Sequence, residues 1–222
     1  MQFKSAVVAG ATGLIGKSLV YQLLESNHYS RVTVLVRRPM NIKHPKLTVA
    51  MVNFDDTESY HNLLLADDFY CCMGTTIKDA GSQDAFRKVD YTYPIELAKA
   101  AKTKGVNRFF MITAMGADVN SGIFYNRVKG ELENELKAIG FGYLGIFRPS
   151  LLLGYRSNFR MGEWIAQKLM KPLSFLFFGP LLNYKPIDGF KVAKSMLLTS
   201  ISEKHGVEII ENQQMHLMTR GK

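Results

Sequence analysis

The stretch Val7-Val8-Ala9-Gly10-Ala11-Thr12-Gly13-Leu14-Ile15-Gly16 constrains this chain more than any other. An apolar run meets three glycines spaced three apart and continues with helical periodicity from Leu14 to about Leu24. A strand, a tight turn and a helix N-terminus in that order make an anion site, because unpaired backbone N–H groups and the positive end of the helix dipole both face the turn. Gly10 permits the turn, Gly13 lets backbone approach a pyrophosphate, and Gly16 lets the helix pack closely on the sheet. Ala11, Thr12, Leu14 and Ile15 supply the rest of the cradle. The glycines stand directly after a strand and at a helix start, and that context makes the spacing a dinucleotide-binding signal. The competing reading is an ordinary strand-to-helix turn.

The rest of the chain alternates strand and helix. Strands are expected at 5–9, 31–36, 47–54, 69–73, 108–113 and 143–147, with a short one at 207–210 that rejoins the sheet edge. Helices are expected at 14–26, 58–65, 84–103 (broken or bent near Pro94, with Gly105 closing it), 124–139, 161–170 and 189–201. Such alternation implies a parallel sheet with helices on both faces. The fold class is therefore α/β: a doubly wound, Rossmann-like parallel sheet with a small irregular C-terminal lobe. Residues 1–150 read as the dinucleotide-binding core, and 151–222 as a lobe covering the cofactor cleft within the same domain.

Composition narrows the partners. The net charge of +9 comes from scattered lysines and arginines, without a basic run interleaved with aromatics. That argues against nucleic acid and suits a phosphate-bearing small molecule. No apolar run approaches the ~20 residues of a membrane span; the longest, 173–182, is interrupted by Ser174, Gly179 and Pro180. No signal-peptide layout is visible, and the two cysteines, Cys71 and Cys72, are adjacent, which rules out a disulfide framework. A cytoplasmic location is expected. The five histidines show no ligand spacing, so no metal is expected; a homodimer is compatible with the sequence.

Open sheets bind ligands at the carboxyl ends of their strands. An NAD site usually carries an acidic residue at the end of the second strand, for the ribose 2′-hydroxyl. Here that place holds Arg37 and Arg38, which suit a 2′-phosphate and favour NADP (NADPH), unless they are simply solvated. Asp55 ends the third strand, where it either accepts the adenine amino group or caps the next helix. Tyr125 and Lys129, four apart, leave one face of a helix. An ammonium beside a phenol stabilises the phenolate and suits it to proton transfer, and the lysine can also hold a ribose. This is the only Tyr-x-x-x-Lys in the chain; the alternative is a surface tyrosine packed on a lysine stem.

With these residues in place, the chain resembles the atypical (extended-like) short-chain dehydrogenase/reductases of the NAD(P)-binding Rossmann superfamily, and more narrowly the Tat-interacting-protein oxidoreductase-like family. The markers are Gly-Ala-Thr-Gly-Leu-Ile-Gly (10–16), Val-Arg-Arg (36–38), Cys-Cys-Met-Gly-Thr-Thr (71–76) and Phe-Arg-Lys-Val-Asp-Tyr (86–91). Gly-Ala-Asp (116–118), Phe-Tyr-Asn-Arg-Val-Lys-Gly-Glu (124–131), Phe-Arg-Pro-Ser-Leu-Leu-Leu (147–153) and Arg-Met-Gly-Glu-Trp (160–164) follow. The resemblance implies that Gly74, Thr75 and Thr76 line the cofactor beneath the nicotinamide-side ribose. It implies that Tyr125 and Lys129 are the catalytic pair and that the Pro149-Ser150-Leu151 backbone meets the nicotinamide amide. The family's carbonyl-orienting hydroxyl falls to Thr113, while Ala114 departs from the pair of serines that close relatives carry. The expected function is an NADP-dependent oxidoreductase acting on a carbonyl or hydroxyl carbon; the alternative is an NADPH-binding regulatory or sensor protein with little turnover. Arg148, Arg160 and Trp164 contact substrate or clamp the lobe, and Arg156 receives no role.

Overall fold

The computed structural model describes residues 3–154 and 179–220. Its strands are β1 (Lys4–Ala9), β2 (Tyr29–Val36), β3 (Leu47–Met51), β4 (Asp68–Cys71), β5 (Arg108–Ile112), β6 (Tyr143–Arg148), β7 (Leu152–Leu153), β8 (Ile187–Asp188) and β9 (Gly206–Glu211). Seven of them form one sheet in the order β3-β2-β1-β4-β5-β6-β9, with every neighbouring pair parallel. The order reverses between β1 and β4, and it is outside the carboxyl ends of the strands at such a reversal that open α/β sheets form their ligand crevice.

Period-two alternation sorts the strand side chains into two cores, one on each face of the sheet. Ala6, Val8, Tyr70, Phe110 and Phe147 enter one core, and Val7, Ala9, Phe69, Cys71, Phe109 and Met111 enter the other. Helix α1 (Leu14–Glu25) covers the first face through Leu19 and Leu23. Beside it lie α7 (Gly189–Ser200), through Val192 and Met196, and α8 (Asn212–Met218), through Met215. Helices α5 (Tyr93–Thr103) and α6 (Phe124–Ile139) cover the second face through Leu97, Ala98, Leu132 and Leu136. The short helix α2 (Glu58–His61) adds Tyr60 to this side, and the short helices α3 (Ile77–Ala80) and α4 (Gln83–Arg87) follow β4. The doubly wound sheet expected from the alternation is borne out.

Several boundaries differ from expectation. The single helix expected over 84–103 is three pieces, α4, a π-helical turn (Lys88–Thr92) and α5. Pro94 has no N–H to offer the Asp90 carbonyl and its ring crowds that carbonyl, so the chain widens, and Tyr93 N–H donates instead to Lys88 O, five residues back. The third strand stops at Met51 and the following helix at His61. Between them the Ser59 hydroxyl is within hydrogen-bond distance of the Asn53 and Asp56 carbonyls, 2.8 and 2.7 Å, and holds a local turn. The helix expected at 161–170, and Arg156, Arg160 and Trp164, lie outside the described residues.

The chain beyond residue 150 returns to the cradle. β7 pairs with β8 (Leu152↔Ile187, Leu153↔Asp188). A Cβ on Gly189 would come within 2.7 Å of Leu14 Cγ, and one on Gly154 would collide with the same side chain. Leu14, the first residue of α1, is thus gripped between two glycine backbones.

A buried polar cluster sits at the opposite, amino end of the strands. The Tyr29 hydroxyl meets the Asp68 carboxylate, the Tyr70 hydroxyl at 2.7 Å and Ser200 Oγ at 2.9 Å. Arg108 Nη1 and Lys4 Nζ both donate to Ser200 O at 2.8 Å, covering the last carbonyls of α7 with positive charge.

Candidate functional site

The glycine turn has the shape its sequence demands. Gly10 has φ +79°, and a Cβ there would lie 2.5 Å from the Cys72 carbonyl on β4's exit loop. A Cβ on Gly16 would collide with the Gly10 carbonyl oxygen, so this glycine serves the turn itself as well as the packing of α1. Gly13 N–H donates to Gly10 O at 3.0 Å and closes the turn. Around Gly13 a Cβ would meet only that oxygen, at 3.3 Å, and Thr12 and Gly13 are exposed. Among the described residues no side chain caps the N-terminus of α1, so its positive end opens into the crevice. An open, backbone-lined concavity with free N–H groups fits a pyrophosphate.

Facing this turn across the crevice is the segment after β4. Thr75 N–H donates to Asp90 Oδ2 at 2.7 Å, while Thr76 Oγ1 accepts from Asp79 N–H at 3.1 Å and caps α3. Asp90 sits on the π-helical turn and also holds Lys129 Nζ, 2.7 Å from its Oδ1. The two side chains are 1% and 3% exposed. Burial disfavours the Lys129 ammonium, but Asp90, followed by Tyr125, more than offsets it, and the pKa lies above the ordinary lysine value. Lys129 therefore stays charged and fixed. Tyr125, one turn earlier on α6, packs its ring against Phe86 with centroids 5.4 Å apart. Among the described residues its hydroxyl has no hydrogen-bond partner.

The structure thus brings Gly10–Gly16, Gly74, Thr75, Thr76, Tyr125 and Lys129 to one end of the sheet, and it adds Asp90. Sequence reasoning gave Asp90 no role. Its only signals were a place in the 86–91 string and the proline four residues later that widens the helix.

Thr113 is placed differently from its expected role. It is buried, and its hydroxyl donates to Glu133 Oε1 at 2.7 Å. Glu133 also accepts from Arg148 Nε at 2.9 Å and Nη2 at 2.6 Å, and Arg148 Nη1 donates to Glu211 at 3.2 Å. The Glu133 carboxylate raises the Arg148 pKa. Arg148 thus ties together α6, β6 and β9.

Arg37 and Arg38 are exposed at the end of β2, with no hydrogen bond or ion pair among the described residues. Asp55 neither caps α2 nor stands free. Its Oδ1 is 2.7 Å from Lys88 Nζ and accepts from the Tyr93 hydroxyl at 2.9 Å, and these two partners hold its carboxyl below the ordinary range. Pro149 and Leu151 lie just beyond β6. Pro149 O accepts from Met115 N–H at 2.9 Å and Leu151 O from Ile187 N–H at 3.0 Å.

Residues 10–150 match the family model described as NAD(P)H-binding. The chain belongs to the NAD(P)H-binding family. The rat protein HTATIP2 is 34% identical over 98% of this chain and 90% of its own length, which bears out the narrower resemblance. A protein named FMP52, mitochondrial, from Debaryomyces hansenii is 34% identical over 86% of this chain and 84% of its own. Among solved structures, the Bordetella bronchiseptica enzyme WbmH in complex with NAD+ superposes with a TM-score of 0.72 at 16% identity, covering 95% of this chain and 76% of that one. This last likeness shows the fold.

The fungal relatives correct the cytoplasmic expectation. Proteins from Eremothecium gossypii and Candida albicans share the D. hansenii name, and all three are mitochondrial by name. The cytoplasmic expectation rested on the lack of a disulfide framework, and two adjacent cysteines do not distinguish the cytosol from a mitochondrial compartment.

Proposed function

We propose that this protein is an NADP-dependent oxidoreductase that moves a hydride between nicotinamide and a carbonyl or hydroxyl carbon of a small molecule. The observation that carries the proposal is the Tyr125 hydroxyl. Among the described residues it is uncommitted, on one helix face with a buried Lys129 that Asp90 and, through it, the Thr75 backbone hold at the crevice. The cofactor supplies hydride chemistry at nicotinamide C4. Tyr125 gives a proton to the carbonyl oxygen during reduction and takes one from the alcohol during oxidation. Lys129 keeps positive charge beside that hydroxyl and presents an ammonium to the ribose. Gly10–Gly16 hold the pyrophosphate, with Gly74, Thr75 and Thr76 across from them, and Pro149 and Leu151 border the nicotinamide end. Asp55, at the end of β3, serves the adenine side while bound to Lys88 and Tyr93.

NADP, rather than NAD, is supported by Arg37 and Arg38 at the β2 exit, where no carboxylate stands. The test is a comparison of NADPH and NADH by calorimetry. Replacing both arginines by alanine is expected to weaken NADPH about 10- to 100-fold and leave NADH unchanged. Equal losses for both cofactors would defeat the NADP assignment. Carbonyl reduction that survives Tyr125→Phe would defeat the catalytic one.

A second reading, an NADPH-binding sensor with little turnover, is favoured by the bond from Thr113 to Glu133. Thr113 orients a carbonyl only by giving up that bond, and Ala114 offers no hydroxyl in its place. Tight NADPH binding with no reduction across a broad panel of aldehydes and ketones would select this reading. The names of the fungal relatives support a mitochondrial site of action, which fractionation of the producing cells checks.

A further inference from the structure

We infer that Asn212 is a positioning residue for the nicotinamide end of the site, acting through Ser150. The inference rests on the cofactor reading above. Asn212 opens α8 and is completely buried, yet each polar atom of its amide is bonded. Oδ1 accepts from Ser150 N–H at 3.1 Å, and Nδ2 donates to Leu182 O at 3.3 Å and Lys185 O at 2.8 Å. The Ser150 hydroxyl donates to the same Lys185 carbonyl at 2.6 Å. An amide costs free energy to bury, and a leucine would fill comparable space without that cost. What an amide supplies here is bond geometry, directed at one backbone N–H in the Pro149-Ser150-Leu151 stretch.

That stretch is fixed from several sides. Pro149 O is held by Met115 N–H at the β5 exit, and Leu151 O by Ile187 N–H on β8. Arg148, just before it, is paired with Glu211, the residue just before Asn212. Two consecutive residues at the start of α8 therefore grip the exit of β6. Asn212 is the one that reaches the peptide itself, and it ties that peptide to the 182–185 segment leading into β8. Its partners do not include the glycine turn, Arg37 or Arg38, where the adenine half and the pyrophosphate would lie. Loss of Asn212 should loosen the site at its nicotinamide end and leave the other end intact.

The experiment compares NADPH with 2′,5′-ADP, which keeps the phosphate-bearing half and lacks nicotinamide, on the full chain, Asn212→Ala and Ser150→Ala. Asn212→Ala is expected to weaken NADPH at least about tenfold with 2′,5′-ADP essentially unchanged. It should also reduce the enhancement of nicotinamide fluorescence at saturation. A purely structural role would lower both affinities together, and that result overturns the inference, as does an unchanged pair of affinities. Should Asn212→Ala fail to fold, Ser150→Ala decides the matter. It removes one link to Lys185 and should shift the NADPH to 2′,5′-ADP ratio several-fold in the same direction; no shift in that ratio overturns the inference. An unmodified protein that binds neither ligand instead brings down the cofactor reading, and this inference with it.

Discussion

An ammonium that is only 3% exposed requires a counter-charge, and Asp90 provides one to Lys129 at 2.7 Å. Removing one member strands the other. Lys129→Met is expected to cost about 3–5 kcal/mol, because among the described residues Asp90 would keep only the Thr75 N–H as a partner. The double variant Asp90→Asn/Lys129→Met should recover a large part of that loss, since no buried charge remains. Urea unfolding of the two singles and the double measures the coupling. Additive losses would mean that the pair contributes nothing as a pair. At this scale the sequence was readable where a residue's task is local. The conformation of Gly10 and the position of Arg37 and Arg38 follow from their neighbours in the chain. Thr113 was not readable in the same way, because its hydroxyl is claimed by Glu133, a residue on a different element whose inward direction no local pattern announces.

Among the elements, the π-helical turn between α4 and α5 decides where Asp90 points. One extra residue in a helical turn rotates everything before it by about 100° relative to everything after. Pro94→Ala restores an N–H and removes the ring that crowds the Asp90 carbonyl, so the turn can tighten to a regular α-helix. NADPH affinity should then fall several-fold even though Pro94 is not placed among the cofactor contacts. The penalty of Lys129→Met should also shrink in the Pro94→Ala background, which a double-mutant cycle reads directly. An unaltered penalty would show that the turn does not set the pairing. Pro94 was legible as an interruption, because a proline inside a helical pattern removes one hydrogen bond and crowds the carbonyl four residues back. Whether the chain bends, breaks or widens there depends on the partners that await the displaced carboxylate. Those are Lys129 and Thr75, brought close by the strand order and not by the sequence around Pro94.

Over the whole molecule the sheet divides its tasks between its two ends. The carboxyl end carries the crevice, and the amino end carries the Tyr29, Asp68 and Arg108 cluster that anchors α7. Arg108 lies against the buried Asp68 at 3.5 Å and donates to the Ser200 and Ser202 carbonyls. Arg108→Ala should therefore lower stability by about 3 kcal/mol, seen as a drop in Tm, and leave NADPH affinity unchanged. A parallel loss of affinity would show that the two ends are not independent. The alternation of the sequence anticipated the parallel sheet, but this clamp joins strands and a helix far apart in the chain and has no short-range signature. The position of β9 has one more outcome. It follows every other strand of the sheet in the chain, directly after α7, which shields the flank of α1. A ribosome that has not yet passed residues 189–211 holds a polypeptide whose α1 flank is bare and whose β6 edge is unpaired. The sheet is therefore completed, and the flank of α1 covered, only by residues that leave the ribosome after every other strand.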